Sequence, residues 1–236
     1  MAGRGLSASR SNALALRQIK GEAAMAARFV LYGFFRSGPT YKVALSLSLS
    51  GEPYAYESIA LRDGQHKTPE FLAKNRFGQV PALEDRSNGT VLCQSAAILD
   101  YLADKTGKLG GTTLQERIQA REWCLWDFDR LALNIYRPRA VKLGIRQMDP
   151  AVVTQYETEG KAALQVLDDW LRGRNWLVGE HPTFADVDVY GVVVYAPDGG
   201  YDLTAYPNIG DWMKRFEALP GFGTREQLLP QESRAA

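Results

Sequence analysis

A chain of 236 residues with a formal net charge of +1 has room for one large domain or two modest ones, and carries no field that calls for nucleic acid or an anionic membrane. Its 45% apolar and 23% charged residues are the proportions of an ordinary globular protein. Two cysteines, Cys93 and Cys124, neither in a Cys-x-x-Cys pair, exclude a disulfide scaffold, a dithiol redox motif and a zinc knuckle.

That cysteine usage fits a reducing compartment, so the expectation is a cytoplasmic protein with no metal. The longest apolar stretches, 29–35 and 189–196, fall far short of the about 20 residues that span a bilayer. Residues 1–24 differ from the rest: Arg4, Arg10, Arg17 and Lys20 are basic, Glu22 is the one acid, and Ala and Ser are common. This composition is like that of an organelle-targeting peptide, although a start at Met25 or a disordered tail explains it more simply. Residues 1–27 are accordingly set apart from the fold as an extension.

The run at 28–34 has the length of a buried strand. In 45–50, Leu and Ser alternate, which by itself argues for another strand. The flanks point the other way, since Pro39 suits a helix's first turn and Gly51 its end, so a helix is expected over 39–50. A strand at 54–59 follows, then a short helical turn from Pro69. Val80-Pro81 leads into a hairpin over 81–93, turning at Ser87-Asn88-Gly89. From Ser95, the residues Ile98, Leu99 and Leu102 recur at helical spacing.

Glycines at 107, 110 and 111 mark a linker over 107–112 between a first domain, 28–106, and a second, 113–230. The second reads as helical throughout: a long stretch over 113–136 ended by Pro138, another over 151–171, and a last at 207–219. Thr183 and Asp186 are spaced as a capping box, and this cap outweighs the β-branched residues after it. The fold class expected is an α/β domain followed by an all-α helical bundle.

Three segments carry a resemblance: Phe34-Phe35-Arg36-Ser37-Gly38-Pro39-Thr40-Tyr41-Lys42-Val43, Asn75-Arg76-Phe77-Gly78-Gln79-Val80-Pro81-Ala82-Leu83, and Cys93-Gln94-Ser95-Ala96-Ala97-Ile98-Leu99. In this order and spacing they resemble the thioredoxin-like N-terminal domain of cytosolic glutathione S-transferases, of the serine-type phi, theta and zeta kind. The capping box and the segment 200–207 resemble that family's C-terminal helical domain, so the likeness spans roughly 28–222.

The resemblance implies that glutathione is the co-substrate. Ser37 would donate a hydrogen bond to its sulfur and favour the thiolate, the reactive form. Tyr32, the rival, falls inside the first strand. Gln79 and Val80 belong to the same implied site, with Val80 exposing its backbone to the cysteinyl part beside a cis Pro81. Gln94 and Ser95 would hold the γ-glutamyl end at a helix start, where free amides attract an anion. The family residue before that serine is commonly Glu, and Gln94 departs from it. His66 and Lys67 are similar to a pair that meets the glycyl carboxylate in phi-like members. A second-substrate pocket is expected on the helix after the linker, at Trp123, Trp126, Tyr136 and Arg137.

The function implied is transfer of glutathione to a small, partly apolar electrophile, in a homodimer that pairs one subunit's N-terminal domain with the other's C-terminal domain. Glutathione-dependent reduction of disulfides or peroxides, and a non-catalytic binding or assembly role on the same fold, are the alternatives. Zeta-like isomerases carry Ser-Ser-Cys where this chain has Ser37-Gly38-Pro39, which counts against isomerase chemistry.

Overall fold

The computed structural model describes residues 26–231, so most of the basic N-terminal extension lies outside the described residues. Ala27 is buried, against Val30 and Ala55.

Four strands form one sheet in the order β2-β1-β3-β4: β1 Phe29–Gly33, β2 Tyr54–Ser58, β3 Ala82–Asp85 and β4 Thr90–Cys93. β1 runs parallel to β2, with Leu31 opposite Tyr56, and antiparallel to β3, with Leu31 opposite Leu83. β3 and β4 are the expected antiparallel hairpin, Leu83 facing Leu92. α1 (Gly38–Leu49) crosses from β1 to β2, α2 (Pro69–Lys74) leads toward β3, and α3 (Ser95–Thr106) follows β4. An α-helix bridges the parallel strands while a tight turn suffices for the antiparallel pair, as the geometry of each connection requires.

The alternating stretch is helical, as its flanks foretold. α1 packs between the sheet, α3 and a C-terminal helix, so Val43, Ala44, Leu45, Ser46 and Leu47 are all buried. A helix enclosed on most sides has no polar stripe, and its sequence need not show a 3.6-residue period. The Ser48 hydroxyl donates to the Gly221 carbonyl at 2.6 Å.

The second part is helical: α4 (Leu114–Trp126), a π-helical turn (Asp127–Ala132), α5 (Leu133–Lys142), α6 (Pro150–Leu171), α7 (Phe184–Val193), α8 (Pro207–Glu217) and a short α9 (Arg225–Leu228). The expected single stretch ending before Pro138 is corrected in two ways. It contains the π turn, and it runs through Pro138 to Lys142. Proline within a helix leaves the carbonyl four residues earlier without its donor. Here that carbonyl, of Asn134, receives the Tyr201 hydroxyl instead.

α7 is buried at every position, which explains its β-branched composition. The capping box sets its start. Thr183 Oγ1 accepts from the Ala185 amide at 3.3 Å, and Asp186 Oδ2 accepts from the Thr183 amide at 2.8 Å. Asp186 Oδ1 also accepts from the Leu177 amide and from Trp212 Nε1, each at 3.0 Å, tying α7 to α8 and to the preceding loop. Thr183 and Asp186 are thus architectural.

One apolar core runs through both parts, from Phe29, Leu31 and Leu83 through Val43 and Leu45 to Val187, Val192, Trp212 and Phe216. The last described residues close it over α1: the Tyr41 hydroxyl donates to the Gly223 carbonyl at 2.9 Å and Tyr54 to that of Leu228 at 2.6 Å. This C-terminal strap over the first domain has no signature in the sequence.

Candidate functional site at the domain junction

A cavity of about 700 Å³ opens between the sheet domain and the helical domain. Seven of the residues singled out from the sequence line its first-domain side: His66, Lys67, Gln79, Val80, Pro81, Gln94 and Ser95. They come from three separate loops, and the fold gathers them.

The loop 75–81 is shaped by Asn75, which is buried. Its Nδ2 donates to the Gln79 carbonyl at 2.6 Å and to the Pro81 carbonyl at 3.2 Å, while its Oδ1 accepts from the Phe77 amide at 3.1 Å. Gly78 adopts φ +58°, and a Cβ there would press on the Lys67 side chain and the His66 carbonyl. Only glycine is at ease with both demands. Lys67 Nζ donates to the Gly78 carbonyl at 3.2 Å, so the two loops are pinned together. The Val80–Pro81 peptide bond is cis, as the resemblance implied.

Gln94 is the N-cap of α3 and holds φ +71° with an exposed side chain and no side-chain cap hydrogen bond. Non-glycine residues rarely keep positive φ, and such backbone often marks a functional position. Ser95 is therefore the first residue of the helix and not its cap. The first turn of α3 has no side-chain cap, and its Ser95 and Ala96 line the cavity; a helix end of this kind favours an anion.

Ser37 caps α1, with extended backbone and Oγ accepting from the Thr40 amide at 3.2 Å. Its hydroxyl hydrogen meets no acceptor among the described residues. Ser37 itself is not among the lining residues; Pro39, two residues on, is. The wall is continued by Tyr136, whose hydroxyl donates to the Gly191 carbonyl at 2.8 Å and lies where a Cβ on Gly38 would stand.

The helical side is mostly apolar, with Leu125, Phe128, Ala132, Leu133 and Tyr136. Of the four residues expected there, Tyr136 alone lines the cavity. Trp123 and Trp126 do not line it; both are partly buried against the core, their rings 5.0 Å apart and Trp123 5.6 Å from Trp170 of α6. Arg137 is not among the lining residues. The buried arginine near the site is Arg139, over the Tyr195 ring at 4.2 Å, with Nε donating to Asp198 at 3.0 Å and Nη1 to the Arg36 carbonyl beside Ser37 at 3.3 Å. Asn75, Gly78 and Arg139 were missed as supports; the Asn-x-Phe-Gly turn was the signal for the first two.

The cavity thus has a donor-rich half and an apolar half. It suits a peptide-like anion laid along the 79–81 backbone with an apolar molecule beside it.

This fold and cleft define a two-domain protein, a thioredoxin-like α/β domain with a helix start at the cleft and a helical domain beside it. Residues 27–104 match the glutathione S-transferase N-terminal domain and residues 131–220 the C-terminal domain. The chain belongs to the glutathione S-transferase family. A crystal structure of glutathione S-transferase from Pseudomonas fluorescens Pf-5 superposes with a TM-score of 0.79 at 33% identity, covering 84% of this chain and 99% of that one. Maleylacetoacetate isomerase of Rhizobium meliloti (strain 1021) is 32% identical over 190 residues, 78% of this chain and 88% of that protein. Disulfide-bond oxidoreductase YfcG of Escherichia coli (strain K12) is 28% identical over 188 residues, 78% of this chain and 87% of that protein.

Proposed function

We propose that the chain is a glutathione transferase that activates bound glutathione as the thiolate and adds it to a small, partly apolar electrophile. The carrying observation is the single cavity that joins Val80, Pro81, Gln94 and Ser95 to an apolar wall. In this reading the α3 amides and Ser95 hold the γ-glutamyl carboxylate, with Gln94 beside them. Val80 pairs with the cysteinyl backbone, Gln79 flanks it, and His66 and Lys67 face the glycyl carboxylate. A hydroxyl hydrogen bond from Ser37 to sulfur lowers the thiol pKa, aided by the N-terminal end of α1. The electrophile packs on Phe128, Leu125 and Tyr136.

The subunit arrangement proposed is a cytoplasmic homodimer. Phe77, Val91, Leu114 and Ile118 are large apolar side chains left exposed, on the loop before β3, on β4 and on α4. Burying them against a second copy removes apolar surface from water. No described helix is long and apolar enough to cross a membrane.

The reading is tested by initial rates with glutathione and a chloronitroaromatic or isothiocyanate acceptor. Turnover dependent on both substrates supports it. A second reading, reduction of glutathionyl disulfides by two glutathiones, is favoured by the likeness to the disulfide-bond oxidoreductase. Turnover of a mixed disulfide with none on electrophiles would select it.

A further inference from the structure

Ser37 is delivered by a tight turn between β1 and α1, and α5 of the helical domain holds that turn on both sides of it. Within the turn, the Ser37 amide donates to the Phe34 carbonyl at 2.9 Å and the Thr40 amide to Ser37 Oγ at 3.2 Å. The Arg36 carbonyl belongs to the same peptide unit as the Ser37 amide. Its donor comes from 103 residues away: Arg139 Nη1, at 3.3 Å. Both polar ends of the Arg36–Ser37 peptide are thus held, one by the turn and one by α5. On the other side of Ser37, the Tyr136 phenol fills the space that a Cβ on Gly38 would need. Tyr136 and Arg139 are three residues apart, so one face of α5 presents both.

Arg139 is itself fixed from several directions. It is 7% exposed, its guanidinium lies 4.2 Å over the Tyr195 ring, and Nε donates to Asp198 Oδ2 at 3.0 Å. Stacking and a forked set of donors define the plane of a guanidinium, which an ammonium would leave free to rotate. The other cation at this turn is Arg225 of α9, 4.6 Å over the Phe35 ring and 5.6 Å from that of Tyr195, with its charge met by Glu226 at 2.6 Å. The turn already closes through its own Phe34–Ser37 hydrogen bond. What Arg139 adds is orientation of the peptide plane.

We propose that Arg139 is a positioning residue for Ser37: by holding the Arg36–Ser37 peptide from the second domain, it aims the Ser37 hydroxyl at the sulfur of bound glutathione. This rests on the glutathione reading above. Ser37 Oγ accepts from Thr40, which leaves its hydrogen for the ligand. A hydrogen bond weakens steeply with misalignment, so a small rotation of this peptide costs thiolate. It leaves affinity for glutathione in place, because Val80, Gln94 and Ser95 hold the rest of the molecule. The helical domain then contributes to thiol activation as well as to the apolar wall.

The test is a thiolate titration, the ultraviolet absorbance of glutathione bound to each protein followed against pH, for wild type, Arg139→Gln, Ser37→Ala and the double variant. The wild type is expected to titrate below the about 8.5 of a free thiol. Arg139→Gln should raise the midpoint by about half a unit or more and lower kcat about threefold or more, with KM for glutathione nearly unchanged. Ser37→Ala should raise it at least as far. The double variant should then titrate with Ser37→Ala, since a residue that acts through Ser37 has nothing left to act on. A midpoint unmoved by Arg139→Gln, with or without a loss of stability, overturns the role of Arg139 alone, as does a double variant shifted by the sum of the two. Should Arg139→Gln not fold, Asp198→Asn is read in its place, because it removes the half-exposed carboxylate that orients Arg139. A shift in the same direction is expected, and no shift overturns the inference. A Ser37→Ala midpoint equal to that of the wild type overturns the roles of both residues. Absence of bound glutathione on the wild type overturns the glutathione reading and this inference with it.

Discussion

The hydroxyl of Tyr201 donates to the main-chain oxygen of Asn134, the acceptor left over by Pro138 further along α5. Proline is thereby accommodated inside a helix that forms one wall of the cavity. Tyr201→Phe should cost about 1–3 kcal/mol, since it strands a buried carbonyl. Denaturant unfolding of the two proteins checks this, and unchanged midpoints would show that water or a helix adjustment replaces the tyrosine.

Asp186 is a buried carboxylate that accepts from Thr183, Leu177 and Trp212. Its burial still pushes its pKa up to about 6, against the pull of these donors. Asp186→Ala removes the cap and leaves three buried donors unpaired, a loss of about 3 kcal/mol or more. Thermal unfolding should show it as a large drop in midpoint, whereas a near-wild-type midpoint would deny the box its structural role.

Asp85 gives the acid dependence. Arg28 holds its two oxygens at 3.0 and 2.7 Å, and Ser87 and Tyr101 add hydrogen bonds. These, the Arg28 bond foremost, keep the carboxyl well below its usual range. The native protein then binds fewer protons here than the unfolded chain, so this stability is present above about pH 4 and lost as pH falls below it. Melting temperatures of wild type and Asp85→Asn should differ at pH 7 and converge toward pH 2. Parallel curves would contradict the assignment.

Much of this architecture was legible in the chain, for identifiable reasons. Pro39 and Gly51 overrode the Leu-Ser alternation, and Thr183-Asp186 overrode a β-branched run, because helix ends are decided by local chemistry. The loop residues of the cleft were legible because Val80-Pro81 and Gln94-Ser95 keep their order in sequence. What stayed hidden depends on contacts between distant segments. The Tyr201 bond that carries α5 past Pro138, the α9 strap over α1 and the packing of Trp123 against Trp170 are set by tertiary neighbours. The ion pairs of Lys42 with Asp127 and Asp188 join three elements and have no local signature.

Ser37 is separable from its capping role. Ser37→Thr retains a hydroxyl and a cap, while Ser37→Ala removes both at about 1 kcal/mol of stability. The alanine variant should lose about tenfold or more in kcat, leave KM for glutathione nearly unchanged, and shift the alkaline rise of the rate upward; threonine should restore part of the rate. Initial-rate pH profiles decide it, and coincident profiles for all three would remove Ser37 from the chemistry.

The central claim is that the cleft binds glutathione, and calorimetric titration of the full chain with reduced glutathione tests it most directly. The account predicts saturable binding of one glutathione per chain at about millimolar affinity or tighter, weakened by Ser95→Ala. Heats no greater than dilution, for a folded protein at about ten millimolar glutathione, would contradict it.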